Sequence, residues 1–362
     1  MNEPAVDVQL MQRALALSVR GAGQVSPNPM VGAVVVNDGE IVGEGWHAIL
    51  GGDHAEVVAL RNAGERARGA TLYVTLEPCN HTGRTPPCVD AIIAAGIKQV
   101  VFAIDDPHEL AGGGAAALRA ANINVVSNVL VPDATEINQP FLFAARGATR
   151  PWITLKLALS IDGAIVDKSR ERGWLTGPEA QRTVHALRAN ADGVAVGIGT
   201  VLADNPMLTV RDATAPRVPP VRIVFDRAAR IPLDSHLVRS ASESPVLVVT
   251  AGLSSIREAA LEAAGLKIIR VKDISDGMES LRARGIRNLL VEGGAVMASA
   301  LMVAGLVDRL VIFQAPVILG RDAVGAFSSV PPQRAGSAPR FRVISRQELG
   351  ADMMTVYAVS AE

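Results

Sequence analysis

Four side chains early in the sequence are of types that do chemistry together. They are His54 and Glu56 in His54-Ala55-Glu56, Cys79 in Glu77-Pro78-Cys79, and Cys88 after Pro86-Pro87. One imidazole and two thiolates form a donor set suited to zinc, and with three protein ligands zinc keeps a fourth position open for water. It brings that water's pKa close to neutrality, so hydroxide is available at pH 7 to attack a ring carbon that carries an amino group. Glu56, which does not bind the metal, is placed to take the proton from water and hand it to departing ammonia.

His-x-Glu alone and Pro-Cys alone are weak signals. Their order, with the strand-like run Thr71 to Leu76 between them, is much stronger. The general zinc-deaminase signature spaces its cysteines as Cys-x-x-Cys; here Asn80 to Pro87 separate the thiols. That insert, Asn80-His81-Thr82-Gly83-Arg84-Thr85-Pro86-Pro87, is rich in side chains able to bind a substrate. Cys79 and Cys88 are the only cysteines, so a short disulfide loop or two buried apolar thiols compete with metal binding. No secretory signal accompanies them and reducing compartments disfavour disulfides, so metal binding is the preferred reading.

The elements that must position these groups follow from periodicity. Val6 to Val19 has apolar residues at helical spacing, Val31 to Val36 and Glu40 to Gly45 read as strands joined at Asn37-Asp38-Gly39, and a helix runs from His54 to about Ala67. Side chains two apart on a helix diverge, so His54 and Glu56 share a site only at its first turn. Cys88 opens a helix to Ala95. Val100 to Ile104 and Ile123 to Val126 are strands, and Gly114 to Ala121 and Asp133 to Ala145 are helices. This alternation is that of a layered α/β domain. The boundary falls at Gly147-Ala148-Thr149-Arg150-Pro151, giving domains 1–149 and 150–362.

The second domain opens with a strand from Trp152 to Ile161. Ile153, Leu155, Leu157, Leu159 and Ile161 line one face; Thr154, Lys156, Ala158 and Ser160 line the other. Lys156 is by itself either a rim charge or a pocket residue. A helix over Pro178 to Asn190 precedes a strand at Val194 to Ile198, which runs into Gly199-Thr200-Val201-Leu202-Ala203-Asp204. Further strand–helix pairs follow: strands Val221 to Phe225, Val246 to Thr250, Lys267 to Val271 and Asn288 to Val291, helices Ser255 to Ala264, Gly277 to Arg284 and Ala295 to Ala304. Asp308 to Phe313 and Met353 to Val359 complete the sheet. Gly293-Gly294, between a strand and a helix, is either a tight turn or a phosphate cradle. A Rossmann fingerprint is absent, because Leu202 stands where its third glycine would be.

Bulk properties agree with a two-domain soluble enzyme: 362 residues, 49% hydrophobic and 20% charged. A net charge of −1 and 3% aromatics offer neither a basic surface nor stacking platforms for nucleic acid. Glu3, Asp7 and Arg13 rule out a signal peptide, and the apolar run Gly293 to Val307 is too short to span a bilayer. A cytoplasmic location, no membrane partner and a homo-oligomer, dimer or tetramer, are expected.

Taken together the chain resembles one family along nearly its whole length, the bifunctional riboflavin-biosynthesis deaminase–reductases. The carrying motifs are Pro27-Asn28-Pro29 with Val31-Gly32, His54-Ala55-Glu56-Val57, and Thr75-Leu76-Glu77-Pro78-Cys79 through Gly83-Arg84-Thr85-Pro86-Pro87-Cys88. In the second half they are Lys156-x-x-x-Ser160-x-Asp162-Gly163, Trp174-Leu175-Thr176, Gly199 to Asp204 and Glu292-Gly293-Gly294. The resemblance implies a cytidine-deaminase-like three-layer domain followed by a dihydrofolate-reductase-like one. It implies zinc on His54, Cys79 and Cys88, Glu56 as proton shuttle, and Asn28, His47, His81, Arg84 and Asp106 around a phosphoribosylated pyrimidine. In the second half it implies NADPH against Ala158, Ser160, Trp174, Thr200, Asp204, Gly293 and Gly294, with Lys156, Arg188, Leu208, Arg211 and Glu292 on the sugar phosphate. Two departures from the family pattern stand out: His108 where an asparagine is usual, and Arg172 where a serine is.

The implied chemistry is hydrolytic deamination at the pyrimidine's 2-amino group, then hydride transfer from NADPH that turns the ribosyl group into a ribityl chain. The rival readings are a nucleoside or tRNA-base deaminase with a binding module behind it, and a zinc-stabilised scaffold without activity.

Overall fold

The computed structural model describes residues 7–82, 86–108, 112–167, 175–252, 254–336 and 338–359. Arg84, Arg172 and Trp174 lie outside the described residues. The chain divides into two compact units, Met1–Ala148 and Thr149–Glu362.

In the first unit α1 (Val8–Ser18) begins at Asp7, whose carboxylate accepts the Gln9 amide as an N-cap. β1 (Gly32–Asn37) and β2 (Glu40–Trp46) form a hairpin whose central residues, Asp38 and Gly39, both take positive φ, as a tight primed turn requires. Then come α2 (Ala55–Ala63), β3 (Thr71–Leu76), α3 (Cys88–Ala94), β4 (Gln99–Ile104), α4 (Gly114–Ala120), β5 (Asn124–Val126), α5 (Val131–Ile137) and α6 (Gln139–Ala145). The sheet runs β2-β1-β3-β4-β5, with β1 antiparallel to both neighbours and β3, β4 and β5 mutually parallel.

Two helices differ from expectation. The one read from His54 to Ala67 stops at Ala63, where Gly64 takes a positive φ and a 3₁₀ turn carries the chain on. The one read from Asp133 to Ala145 is two. Pro140 lacks a donor for a continuous ladder, and the side chain of Asn138 turns away to the main chain of Met30.

α2 lies directly against β2 at two glycines. A Cβ on Gly43 would stand 2.2 Å from the Ala59 carbonyl oxygen, and one on Gly45 would stand 2.5 Å from that of Ala55. These glycines therefore fix the height of α2 above the sheet, and with it the first turn that holds His54 and Glu56.

The second unit contains β6 (Trp152–Leu159), β7 (Ala164–Val166), α7 (Pro178–Ala189), β8 (Gly193–Gly197), α8 (Ile198–Asp204), β9 (Val221–Phe225), α9 (His236–Arg239) and β10 (Val246–Thr250). α10 (Ser255–Ala263), β11 (Lys267–Arg270), α11 (Ile274–Ala283), β12 (Asn288–Glu292) and α12 (Ala295–Val303) follow. β13 (Arg309–Gln314), β14 (Val324–Gly325), β15 (Phe341–Leu349) and β16 (Asp352–Val359) close the unit. Nine strands form one sheet in the order β11-β10-β9-β8-β12-β6-β13-β16-β15. It is parallel from β11 to β13 and antiparallel from β13 to β15. β7 and β14 pair separately.

β6 alternates as its sequence requires: Ile153, Leu155, Leu157 and Leu159 are buried, while Thr154, Lys156 and Ala158 on the other face are partly open. Its start is anchored by Asp308, which takes a paired contact from Arg150 at 2.6 and 2.8 Å and accepts the Ile153 amide. Five elements of this unit escaped the sequence reading: β7, α8, α9, β14 and β15. Gly199 to Asp204, which the sequence reading assigned to no element, belongs to the short helix α8, and β15 adds an outer strand paired to β16.

β12 comes late in the chain yet inserts between β8 and β6. The carboxyl ends of these three neighbours therefore lie side by side at a change of strand order, where open parallel sheets present ligand sites.

Gly45→Ala is expected to destabilise the first unit by about 1–3 kcal/mol, the usual range for overpacking. It should also lower the zinc bound per chain, because α2 must lift. Thermal melting and metal analysis of the purified variant check both.

Candidate functional site

The first cluster is assembled from two helix starts and one strand end. His54 is the N-cap of α2 and Glu56 lies in its first turn. Cys79 follows the end of β3, and Cys88 is the first residue of α3. His54 Nδ1 stands 3.2 Å from Cys88 Sγ and 3.5 Å from Cys79 Sγ, and all three ligand atoms lie within 4.8 Å of one another. A tetrahedral zinc with bonds of about 2.0–2.3 Å needs its ligands about 3.5–3.8 Å apart, so the donor set fits in both chemistry and spacing. Both cysteines are free thiols, which removes the disulfide reading. They share a hydrogen bond that draws Cys79 down to about 4 and pushes Cys88, the donor, up. The Cys88 amide also donates to Cys79 Sγ at 3.4 Å, an anchor for a thiolate.

Glu56 is 4% exposed, outside the three-ligand cluster but within reach of the Cys88 thiol. Burial pushes its carboxyl upward, against the opposing pull of His54.

Around this centre the structure gathers Asn28 and His47. His47 Nδ1 donates to the Asp53 carbonyl at 3.1 Å, leaving Nε2 to accept from Asn28 Nδ2 at 3.3 Å. Burial pushes His47 down, which favours this neutral tautomer, and its ring meets that of His54 edge-on at 5.6 Å. Asp106 follows β4 and accepts the His108 amide at 2.9 Å; burial raises its carboxyl. His108 meets the Phe141 ring edge-on at 5.5 Å, and its hydrogen bond to Asp106 comes from the main chain. His81 lies exposed on the loop after Cys79, and Arg84 is outside the described residues.

Three positioning contacts were not legible in the sequence. Glu77 accepts the Asp106 amide at 3.3 Å and the Ala115 amide at 2.9 Å, tying the ends of β3 and β4 to the start of α4. A Cβ on Gly114 would stand 1.9 Å from the Pro78 carbonyl, so α4 presses directly on the Cys79 loop. Asn138, 2% exposed, grips Met30 from both sides, accepting its amide at 2.8 Å and donating to its carbonyl at 3.0 Å. That clamp holds the segment carrying Asn28.

The second cluster sits at the carboxyl ends of β6, β8 and β12. Lys156 and Glu292 are register partners on adjacent parallel strands. Glu292 takes a two-pronged contact from Arg188 of α7 at 2.5 and 2.9 Å, and Arg188 Nη1 reaches the Thr209 carbonyl at 2.9 Å. Burial works to raise Glu292, but the Arg188 guanidinium outweighs it and holds the carboxyl below its ordinary value. Burial lowers Lys156, whose ammonium also lies 5.5 Å from the Phe313 ring centroid. Lys156 is thus a pocket residue beside a buried ion pair, not a rim charge.

Ser160, fully buried, donates to Asp162 at 2.5 Å, and Asp162 accepts the Leu319 and Gly320 amides. Ala158 shares the Lys156 face of β6. A Cβ on Gly294 would stand 3.2 Å from Thr200 Oγ1, so the starts of α8 and α12 nearly touch. Asp204 ends α8. Gly293 is equally constrained, its Cβ position lying 3.2 Å from Leu155 Cδ1. The side chain of Leu208 is buried in the core and its φ is +53°, so main chain is what it can offer a ligand. Arg211 is exposed beyond it, its amide held by His185. Trp174 is outside the described residues. Side-chain-free backbone at paired helix starts fits the phosphates of a dinucleotide.

Comparison with known proteins agrees with this geometry. Residues 4–104 match the model of the cytidine and deoxycytidylate deaminase zinc-binding region, and residues 151–355 match that of the RibD C-terminal domain. The riboflavin biosynthesis protein RibD of Escherichia coli (strain K12) is 41% identical over 362 residues, 96% of this chain and 98% of its own. The chain belongs to the RibD family. Among solved RibD structures, that of Acinetobacter baumannii is 35% identical, covers 98% of this chain and 99% of its own, and superposes with a TM-score of 0.83. The diaminohydroxyphosphoribosylaminopyrimidine deaminase/5-amino-6-(5-phosphoribosylamino)uracil reductase of Thermotoga maritima is 32% identical, covers 98% of both chains and has a TM-score of 0.84. The two units accordingly have the cytidine-deaminase-like and dihydrofolate-reductase-like RibD folds, and the reading of the second half as a mere binding module is set aside.

Asn138→Ala should strand the Met30 amide and carbonyl, at about 1–3 kcal/mol for each buried group left unpaired. The expected result is a raised KM for deamination at unchanged zinc content, read from ammonia-release kinetics and metal analysis.

Proposed function

We propose that this chain catalyses two successive reactions of riboflavin biosynthesis, deamination in residues 1–149 and reduction in residues 150–362, with the residues named above in defined roles. The observation that carries the reading is the pair of sites: three ligand atoms within 4.8 Å of one another with a buried acid beside them, and a lysine–glutamate–arginine cluster at three strand ends.

The substrate is a diaminopyrimidinone bearing a phosphoribosylamino group. His54, Cys79 and Cys88 would hold the zinc ion, which would supply the Lewis acidity that makes water a nucleophile at neutral pH. Glu56 takes the proton of that water and delivers it to the amino group, so that one C–N bond breaks, one C–O bond forms, and ammonia leaves. His47, locked as the Nδ1–H tautomer, and Asn28 read the edge of the ring; Asp106 and His81, with Arg84, bind the rest. For the second step NADPH supplies the hydride. The glycine turn at Gly293-Gly294, Thr200, Asp204, Ser160, Ala158 and Trp174 seat the cofactor. Lys156, with its proton affinity lowered by burial, stands where it can protonate or orient the sugar oxygen, while Arg188 and Glu292 fix its position; Arg211 and the Leu208 main chain take the sugar phosphate.

The partner is a small molecule. A net charge of −1 supports the absence of nucleic acid, and no helix among the described residues is long and apolar enough to cross a membrane. Free thiols as metal ligands suit the reducing cytoplasm. A homo-oligomer would cover Val296 and Val303, which stand exposed on α12.

The test is one assay on the phosphoribosylaminopyrimidine that follows ammonia and NADPH absorbance together, with and without a zinc chelator. Glu56→Gln is expected to cut ammonia release by about 10²–10⁴-fold, the usual share of a general acid–base, while NADPH oxidation on deaminated substrate persists. Lys156→Ala should give the converse, normal deamination with reduction crippled. Loss of both activities in either folded variant sinks the two-site assignment.

A further inference from the structure

The segment after α8, from Asn205 to Asp212, carries Leu208 and Arg211 and lies outside helix and strand. Asn205, Leu208 and Asp212 take φ values of 43°, 53° and 51°. Non-glycine residues persist in that region only where their surroundings over-determine them. Three side chains supply the determination by gripping main chain at alternate residues. Arg222 donates to the Met207 carbonyl at 3.3 Å, Arg188 donates to the Thr209 carbonyl at 2.9 Å, and His185 Nδ1 accepts the Arg211 amide at 3.1 Å. The two guanidiniums hold their charge at any working pH. The imidazole does not, and it accepts only while Nδ1 is unprotonated.

We propose that His185 is a positioning residue for reduction, whose neutral ring holds the Arg211 end of this segment in place for the sugar phosphate and whose protonation lets it go. The inference rests on the assignment of Arg211 to the substrate. His185 is 5% exposed on α7, one turn before Arg188. The charged groups that face it are Arg188 on its own helix, Arg211 and Asp212 on the segment, and Glu292 on β12. Burial, then the two arginines, disfavour a charged ring; Glu292 and Asp212 favour one, and the balance lies below the ordinary histidine value. The contact is therefore made at neutral pH and lost as pH falls through that lowered value, when an N–H would face the Arg211 N–H.

The experiment is steady-state reduction of deaminated substrate by the zinc-loaded full chain with NADPH, from about pH 5 to pH 8, the span in which histidines titrate. His185→Ala is expected to raise KM about three- to tenfold, the effect of one ordinary hydrogen bond, with kcat little changed. His185→Gln, which can accept through its amide oxygen without titrating, should hold KM near the wild-type value at pH 8. It should also flatten the rise toward pH 5, leaving only the part due to the substrate's own phosphate. Superimposable KM–pH profiles for wild type and His185→Gln, or an unchanged KM in His185→Ala, overturn the proposal; if the alanine variant does not fold, the glutamine comparison decides. Arg211→Ala separates the two levels. A raised KM there with silent His185 variants removes only the positioning role, whereas an unchanged KM removes the site assignment as well.

Discussion

Both sites depend on glycines that let neighbouring elements approach closely. Gly43 and Gly45 let α2 settle on β2, Gly114 lets α4 press on the Pro78 carbonyl, and Gly294 lets α12 start beside Thr200. Each contact lies next to a group that needs angstrom-scale placement: His54 and Glu56, Cys79, and the phosphate-sized turn of the reductase. Side chains in those gaps would hold the elements apart and could repack in several ways. At Gly43, Gly45 and Gly114 the nearest atom is a main-chain carbonyl oxygen, which has no rotamer to change.

The second cluster is held differently. Burying Lys156, Glu292 and Arg188 together is expensive in desolvation, and such groups stabilise a fold only when geometry is good and hydrogen bonds are complete. Here the strand register sets Lys156 and Glu292 side by side, and Arg188 meets Glu292 through two parallel bonds. Arg188 commits three of its N–H groups to Glu292 and Thr209, so its service to a bound phosphate is chiefly charge. Arg211 is exposed, with its amide held by His185.

What the sequence made legible was local or periodic. Alternation along β6 placed Lys156, Ala158 and Ser160 on one face, and the two-residue step from His54 to Glu56 required a helix start, where both are found. The ligand set His54, Cys79 and Cys88 followed from residue type and order. Illegible were the residues that act on main chain far away in sequence. Asn138 is 108 residues from Met30, Glu77 is 38 from Ala115, and His185 is 26 from Arg211. An asparagine, a glutamate and a helical histidine carry no mark of such partners, since the partner is an amide or carbonyl common to every residue. The break at Asn138 is half legible: Pro140 marks it in the sequence, while the bond from Asn138 to Met30 does not show there. α8 was hidden by its glycine, and β15 by a run of charged and polar residues that an outer strand tolerates.

The two units balance burial against charge in different ways. Around the zinc ligands burial drives groups toward neutrality, with Asp106 raised and His47 lowered. In the reductase unit burial lowers Lys156 and His185, but Glu292 is lowered by its arginine and the buried Arg188 stays a cation because Glu292 answers it. Reduction adds a proton as well as a hydride, so a titratable Lys156 held beside a fixed Arg188–Glu292 pair combines an exchangeable proton with an immobile frame.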